Sequence, residues 1–156
     1  MSGWLIDTRL FKHLGPGGGG RKPSFRDWLS ACDAPIFLSM ISLVEINASI
    51  QKVHDTPRER RKAELDAWLD HIVGHYADRI IPVDAQTAKL AGVLMNRSHA
   101  PGASRLSDAL LAATARIHGH ALVTERKADF IPIGTGIELW DPFEQGLPGD
   151  RRLSTD

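Results

Sequence analysis

The sequence predicts an α/β fold in which a central, mostly parallel five-stranded sheet lies between two layers of helices. Five short apolar runs are typical of buried strands, at 4–6, 35–41, 80–83, 121–124 and 137–140. Segments with helical apolar spacing separate these runs, and strands joined through helices pair in parallel with right-handed crossovers. The 156 residues, 42% of them hydrophobic, are enough for one domain with a substantial core.

The first strand ends at Asp7, and a short helix over 10–14 follows it. A glycine-rich stretch at 15–23 then predicts a flexible loop, because a run of glycines favours neither helix nor strand. A short helix at 24–30, with three large apolar side chains on one side, leads to the second strand.

Two helices are predicted after the second strand. Ser42 has the sequence context of an N-cap, with Glu45 at the third helical position, and this helix should end near residue 53. The next helix begins with a capping box and a proline at 56–59. Its apolar side chains recur on one face, at Leu65, Trp68, Leu69, Ile72 and Val73.

The second half of the chain continues the alternation. Asp84 is predicted to cap a helix that ends near residue 95, and a loop follows at 96–105. An alanine-rich helix then begins at Ser107 or Asp108, and Gly119 ends it. These elements lead into the last two strands.

We therefore expect a single domain at 1–145, followed by a loose polar tail at 146–156. The single cysteine, Cys32, excludes an internal disulfide and a cysteine-based zinc site, and it suits a reducing cytoplasm. No stretch approaches the roughly 20 apolar residues of a membrane span. The net charge is zero, so no overall field draws the protein to nucleic acid.

Four acidic residues lie near strand ends or helix starts: Asp7, Glu45, Asp108 and Asp129. Ligands of parallel sheets bind outside the carboxyl ends of the strands, where Asp7, Glu45 and Asp129 are expected. The helix that Asp108 opens should begin at the other edge unless the preceding loop crosses over, so geometry groups three carboxylates more readily than four. Such a cluster suits Mg²⁺ or Mn²⁺. Taken singly, each acid is more often a turn or capping residue.

Several segments, in this order and spacing, resemble the PIN-domain ribonucleases, especially the VapC-type toxins of bacterial toxin–antitoxin pairs. The matching segments are WLIDT at 4–8, LSMISLVEI at 38–46, IPVDAQTAKLAG at 81–92, LSDALLAATARIHGHALVT at 106–124, ADF at 128–130 and GIELWDPF at 136–143. The resemblance covers about residues 3–145. It implies a three-layer α/β/α sandwich around a parallel sheet.

The resemblance also implies a function. The family's four acidic positions fall on Asp7, Glu45, Asp108 and Asp129, so Asp108 is expected to join the other three. Asp7, Asp108 and Asp129 would hold Mg²⁺ or Mn²⁺, and Glu45 would bind the metal or position the attacking water. The implied protein is a cytoplasmic, homodimeric endoribonuclease toxin, with RNA as substrate and a small antitoxin whose C-terminal segment covers the site. Thr8 and Thr124 are expected to line that site.

Two arginines depart from the family's usual pattern, which has asparagine at both places. Arg9 follows Thr8, and Arg126 stands two residues after Thr124. Arginine stays charged and can clamp a carboxylate through two hydrogen bonds. Either these arginines neutralise the acids, leaving a catalytically weakened module that pairs with an antitoxin, or they face outward and grip RNA phosphate. A third hypothesis, nucleotide binding by the glycine-rich loop, is weaker because the loop does not match the Walker pattern.

Overall fold

A computed structural model describes residues 2–17, 25–53, 58–100, 102–133 and 136–148, and it confirms the predicted α/β fold. Five strands form one parallel sheet in the order β3-β2-β1-β4-β5. The strands are β1 Trp4–Ile6, β2 Ile36–Ser39, β3 Ile80–Ile81, β4 Ala121–Val123 and β5 Leu139–Trp140. Strand β1 lies in the centre, with β2 on one side and β4 on the other.

Helices cover both faces of the sheet. One face carries a 3₁₀ helix at Thr8–His13, α1 Phe25–Ser30, α2 Met40–Gln51 and α3 Arg58–His75. The other face carries α4 Ala85–Met95, α5 Gly102–His118 and α6 Lys127–Phe130. A second 3₁₀ helix, Ala77–Arg79, precedes β3. The three predicted layers are therefore present.

The strand side chains alternate between the two layers. In β1, Trp4 and Ile6 pack into the core under α1 to α3, whereas Leu5 packs into the core under α4 and α5. Each of these three side chains is almost fully buried. A sheet buried on both faces has no polar side, which is why its strands are continuous apolar runs in the sequence.

Aromatic rings fill the first layer. Trp4 contacts Trp28 and Trp140 edge-on, at centroid distances of 5.3 and 5.5 Å. The predicted apolar face of α3 packs against this core through Leu65, Trp68, Leu69 and Ile72. Val73 does not belong to that face: it is exposed, because it lies about 90° around the helix from the centre of the face that these four side chains form.

Alanines and leucines make up most of the second layer. Six of the described side chains of α5 are fully buried: Ala109, Leu111, Ala112, Ala113, Thr114 and Ala115. Small side chains allow a helix backbone to approach its neighbours closely, and α5 packs along both α4 and β4. Gly119, at φ 66°, ends α5 as predicted.

The start of α2 differs from the prediction. Strand β2 ends at Ser39, not at residue 41, and the Ser39 side chain caps the helix by accepting a hydrogen bond from the Ile41 N–H. Ser42 is therefore not the N-cap but lies buried in the first turn, and Glu45 lies in the second. The prediction failed because the apolar run continues unbroken from the strand into the helix.

Helix α5 also begins earlier than predicted. It starts at Gly102, so the predicted loop at 96–105 is shorter and Asp108 lies in the second turn rather than at the N-cap. The segment 102–107 hid the helix because it has little apolar periodicity. The cap of α4 is as predicted, since Asp84 Oδ1 accepts a hydrogen bond from the Thr87 N–H at 2.8 Å.

The direction of α5 corrects the predicted position of Asp108. The helix ends just before β4, whose first residue, Ala121, donates its N–H to the Gly3 carbonyl at the amino edge of the sheet. A helix that leads directly into a parallel strand runs antiparallel to it. Its N-terminal part, including Asp108, therefore lies at the carboxyl edge, not at the opposite edge as expected from the sequence.

Some predictions fall on parts of the chain that are not described. These are the glycine-rich loop from residue 18 on, the first two residues of the capping box at 56–59, and the tail from 149 on. The division into a domain at 1–145 and a tail stays a prediction. Among the helices that are described, none is long and apolar enough to cross a membrane.

Substitutions at two glycines test this packing, and they are expected to change the free energy of unfolding in opposite directions. A Cβ on Gly3 would overlap the Pro35 carbonyl and the Phe37 ring, so Gly3→Ala should lower the free energy of unfolding by about 1–3 kcal/mol. Gly92 lies on the exposed side of α4 with no atom in the way. Gly92→Ala should raise the free energy of unfolding by about 0.5–1 kcal/mol, because alanine favours a helix more than glycine does. Urea denaturation measures both, and a Gly3→Ala variant as stable as the wild type would contradict the β1–β2 packing.

Candidate active site

Asp7 is the most buried acid at the carboxyl edge of the sheet. It follows β1 directly, and its N–H donates to the Val123 carbonyl at 2.9 Å, which extends the pairing of β1 with β4. Its side chain is inaccessible to solvent. The Thr124 hydroxyl donates to Asp7 Oδ2 at 2.7 Å, so the last residues of two neighbouring strands fix this carboxylate.

The Arg126 guanidinium lies between three aspartates. It donates to Asp7 through Nε (3.2 Å to Oδ2) and Nη2 (3.3 Å to Oδ1). It donates to Asp108 through Nη2 (2.9 Å to Oδ1) and Nη1 (3.3 Å to Oδ2). A further bond joins Nη1 to Asp129 Oδ2 at 3.2 Å. Asp7 and Asp108 are thus each clamped by two hydrogen bonds, the strongest geometry open to this pair of groups.

The neighbours of Arg126 hold it in this place. Its N–H donates to the Thr124 hydroxyl oxygen at 3.0 Å, and its guanidinium lies over the Phe130 ring at 5.1 Å. The side chain is only 12% exposed. Thr124 therefore links the backbone of Arg126 and the carboxylate of Asp7 through one hydroxyl.

The two other aspartates come from the second helical layer. Asp108 projects from the second turn of α5 and is 3% exposed, whereas Asp129 lies in α6 and is 52% exposed. Three of the four acids singled out in the sequence thus meet at one place, from β1, α5 and α6. Asp108 reaches it because the carboxyl edge lies beside the N-terminal half of α5.

The surroundings shift the pKa values of this cluster. Burial raises the pKa of Asp108, and the charges of Asp7 and Asp129 add to that effect against the hydrogen bonds from Arg126. Burial also disfavours the charge of Arg126, but the bonds and charges of Asp108 and Asp7 outweigh it and raise the pKa of Arg126. Arg126 is therefore fully charged, and it faces an excess of acidic groups.

Glu45 is not bonded to Arg126 as the three aspartates are. It lies half-buried in α2, and its carboxylate forms no hydrogen bond or ion pair with any residue that the structure describes. One turn earlier, the Ser42 hydroxyl accepts a hydrogen bond of 2.9 Å from Thr8. Thr8 thus connects the end of β1 with α2, and it bonds to Ser42 rather than to an aspartate.

Arg9 lies beside the cluster, but its side chain is not bonded to it. Its side chain is exposed and forms no hydrogen bond or ion pair within the described part of the chain, although its N–H lies 3.5 Å from Asp7 Oδ1. It borders two clefts. One cleft, of about 420 Å³, is also lined by Asp108, Arg126 and Asp129. The other, of about 390 Å³, lies between the first 3₁₀ helix, α2 and α3. The two unusual arginines therefore differ, since Arg126 faces inward and Arg9 outward.

One ion pair beside the site was not predicted from the sequence. Glu125 accepts from Lys12 Nζ at 2.6 Å, and the His13 ring lies 3.5 Å away. Burial opposes the charge of Glu125, but Lys12 and His13 outweigh it and lower the pKa of Glu125. This pair ties the 3₁₀ helix after Asp7 to the segment between Thr124 and Arg126. No spacing in the sequence connects residues 12 and 125, which are neighbours only because β1 pairs with β4.

The carboxylate oxygens of this cluster are possible ligands of a metal ion. Within the described residues, no three His, Cys, Asp or Glu side chains are arranged around a position for a metal ion. The reason is the Arg126 guanidinium, which lies where the carboxylates of Asp7 and Asp108 converge. Their oxygen donors are nevertheless those that Mg²⁺ and Mn²⁺ prefer, and the guanidinium is a stand-in cation. The residues fit a hard divalent ion once Arg126 moves.

The chain is similar to one known protein family and to several solved structures. The model of the PIN domain matches residues 5–130. The structure of FitAcB from Neisseria gonorrhoeae superposes with a TM-score of 0.71 at 21% identity, covering 90% of this chain and 99% of that one. DNA-bound VapBC from Salmonella typhimurium gives 0.61 at 21% identity, covering 90% and 98%. A toxin–antitoxin complex from Klebsiella pneumoniae gives 0.53 at 23% identity, covering 86% and 98%. No curated protein matches significantly.

The charge balance of the cluster can be tested by removing its cation. Arg126→Gln leaves buried Asp7 and Asp108 without a counter-charge, so the free energy of unfolding at pH 7 should fall by about 3 kcal/mol. The loss should shrink in acid. Because its pKa is raised, folded Asp108 takes up a proton at a higher pH than in the unfolded chain, and protonation removes the repulsion.

Urea denaturation at pH 7 and pH 5 measures this effect. Arg9→Gln is the matched control, since Arg9 is exposed and should change stability by less than about 0.5 kcal/mol. An Arg126→Gln variant with wild-type stability at pH 7 would show that the three carboxylates do not depend on Arg126.

Proposed function

Because this chain belongs to the PIN domain family, we propose that it is a toxin that cleaves RNA with Mg²⁺ or Mn²⁺ and is inhibited by a small antitoxin. PIN domains are generally nucleases, and they typically use divalent metals. The solved structures that share the fold include toxin–antitoxin complexes. The observation that carries the proposal is the convergence of Asp7, Asp108 and Asp129 on one cation at the carboxyl edge of the sheet.

The proposed roles follow from the positions of the side chains. Asp7, Asp108 and Asp129 would hold the ion, and Glu45, on the neighbouring α2, would bind it or position the attacking water. The ion would neutralise charge on the phosphate and lower the pKa of a bound water. Thr124 orients Asp7 through the 2.7 Å hydrogen bond, which leaves the second oxygen of Asp7 free of that bond.

The cleft beside the aspartates is where the RNA backbone would lie. Arg9 and His99 border it, together with Asp108 and Asp129. The exposed guanidinium of Arg9 is suited to a phosphate, because it is not engaged by an acid among the described residues. The net charge of zero means that attraction to RNA has to come from such local groups.

The second cleft is the proposed contact surface for the antitoxin. Its floor is apolar and its rim is basic. The apolar residues are Phe11, Ile46, Ile50, Leu65 and Trp68, and the basic ones are Arg9, Lys12 and Arg61. An amphipathic segment with acidic residues matches both properties, and at Arg9 the cleft adjoins the acidic site. The homodimer rests on the family resemblance, and the cytoplasmic location rests on the single cysteine, Cys32, which suits a reducing compartment; both are proposed here.

Arg126 supports a second candidate function. A guanidinium clamped by Asp7 and Asp108 is the arrangement expected of a PIN-fold module that binds an antitoxin without cleaving RNA. The two candidates differ in a measurable way, because only the nuclease cleaves single-stranded RNA when Mg²⁺ or Mn²⁺ is added.

Asp7→Asn tests the nuclease. The substitution keeps a hydrogen-bond acceptor for Thr124 but removes a charged metal ligand, so cleavage of single-stranded RNA with Mn²⁺ should fall by about a hundredfold or more. Asp70→Asn is the control, since Asp70 is an exposed acid of α3 and should leave the rate unchanged. A folded wild type that cleaves no RNA with either ion would exclude the nuclease and favour the binding module.

Charge reversal tests the antitoxin surface. Arg61→Glu places a like charge where an acidic segment would bind, so affinity for the cognate antitoxin should fall about tenfold or more in a calorimetric titration. Arg60→Glu is the matched control: Arg60 precedes Arg61 on α3 and is 90% exposed, but it does not border the cleft. Equal losses for both variants would contradict the proposed surface.

A further inference from the structure

We infer that the guanidinium of Arg126 occupies the position of the metal ion. The guanidinium and a divalent cation therefore compete for Asp7 and Asp108. The ion binds only when the Arg126 side chain has left. The inference rests on the proposed function in one respect, since it takes this acidic cluster as the site of the ion. It goes beyond that function because it makes metal uptake a regulated step.

The hydrogen bonds leave little room for simultaneous binding. All four oxygens of the Asp7 and Asp108 carboxylates accept from Arg126, at distances from 2.9 to 3.3 Å. Mg²⁺ needs ligand oxygens at about 2.0–2.1 Å. An ion that close to these oxygens would lie against the guanidinium in a buried place, where the repulsion between like charges is poorly screened. The two cations therefore exclude each other.

The charges of the cluster favour the exchange of Arg126 for a divalent ion over permanent occupation of the site by Arg126. Three carboxylates face one singly charged guanidinium, so negative charge remains in excess and attracts a divalent ion. Arg126 has the opposing advantage that it is tethered beside the site and needs no free concentration. The apparent affinity for the ion is then the intrinsic affinity reduced by the fraction of molecules in which Arg126 is out.

The structure also contains space for the displaced side chain. Arg126 borders the cleft of about 420 Å³ that contains Arg9, Ser104 and Ala128. Its N–H is held by Thr124, so rotation of the side chain alone can move the guanidinium while the end of β4 stays in place.

Binding of Mn²⁺ to the whole protein, followed by electron paramagnetic resonance of the free ion, tests the competition. Arg126→Asn removes the competing cation and should bind Mn²⁺ about ten- to a hundredfold more tightly than the wild type. Arg126→Lys keeps a charge but not the two-pronged clamp, and it should lie between them. Arg9→Asn, which removes an arginine from the same cleft, should change the affinity by no more than about twofold.

An Arg126→Asn variant that is folded and binds Mn²⁺ no more tightly than the wild type would overturn the inference. If that variant does not fold without metal, the comparison passes to Arg126→Lys: its melting temperature should rise more with Mn²⁺ than that of the wild type, and an equal rise would overturn the inference too. Adding Asp108→Asn to Arg126→Asn should abolish the gain in affinity, and a retained gain would place the ion elsewhere.

The outcome of the Mn²⁺ binding experiment can be distinguished from the outcome of the RNA cleavage experiment. An Arg126→Asn variant that binds Mn²⁺ tightly but cleaves no RNA supports the competition and counts against the nuclease. A wild type that cleaves RNA, with an Mn²⁺ affinity that Arg126→Asn leaves unchanged, supports the nuclease and overturns the competition.

Discussion

The burial of two carboxylates at the carboxyl edge of the sheet is the constraint on which the site depends. Asp7 is inaccessible to solvent and Asp108 is 3% exposed. A buried carboxylate is tolerated only when hydrogen bonds and an opposite charge compensate it. Thr124 provides the hydrogen bond and Arg126 the charge. Both lie where β4 ends beside β1, so the strand order itself places the compensation next to the charge.

The second helical layer supplies the other half of this arrangement. Because the alanines of α5 are small, the helix packs closely against the sheet and against α4. That close packing brings Asp108 within reach of the guanidinium that also binds Asp7. Larger side chains on this face of α5 would hold the helix further from the sheet and separate the two aspartates. The composition of one helix therefore determines whether the two carboxylates can share a cation.

Much of this could be predicted from the sequence, and the failures have physical causes. The five strands, the cap at Asp84 and the stop at Gly119 depend on local patterns, which short segments determine. The strand-to-helix boundary at Ser39 was missed because the apolar run crosses it. The edge at which Asp108 lies was assigned wrongly although the predicted alternation determines it, because a helix between two parallel strands begins at their carboxyl edge. The pairing of Lys12 with Glu125 depends on strand order, which residue types alone do not determine.

The two arginines show most clearly what sequence cannot decide. Arg9 lies two residues after Asp7 and Arg126 two residues after Thr124, and both depart from the family's usual asparagine. Arg9 belongs to a 3₁₀ helix whose exposed side carries it outward, whereas Arg126 precedes α6 and turns back over Phe130. Side-chain direction, not residue type, separates an arginine that neutralises the site from one available to a ligand.

The hydrogen bonds of Arg126 have a consequence for the order of events in a cell. Here the opposing charge is part of the same polypeptide, and it reaches Asp7 and Asp108 as the chain folds. In the proposed competition, the position of the metal ion is filled by Arg126 in every newly folded molecule. The local concentration of free divalent ions would then determine how soon the proposed nuclease acquires its metal.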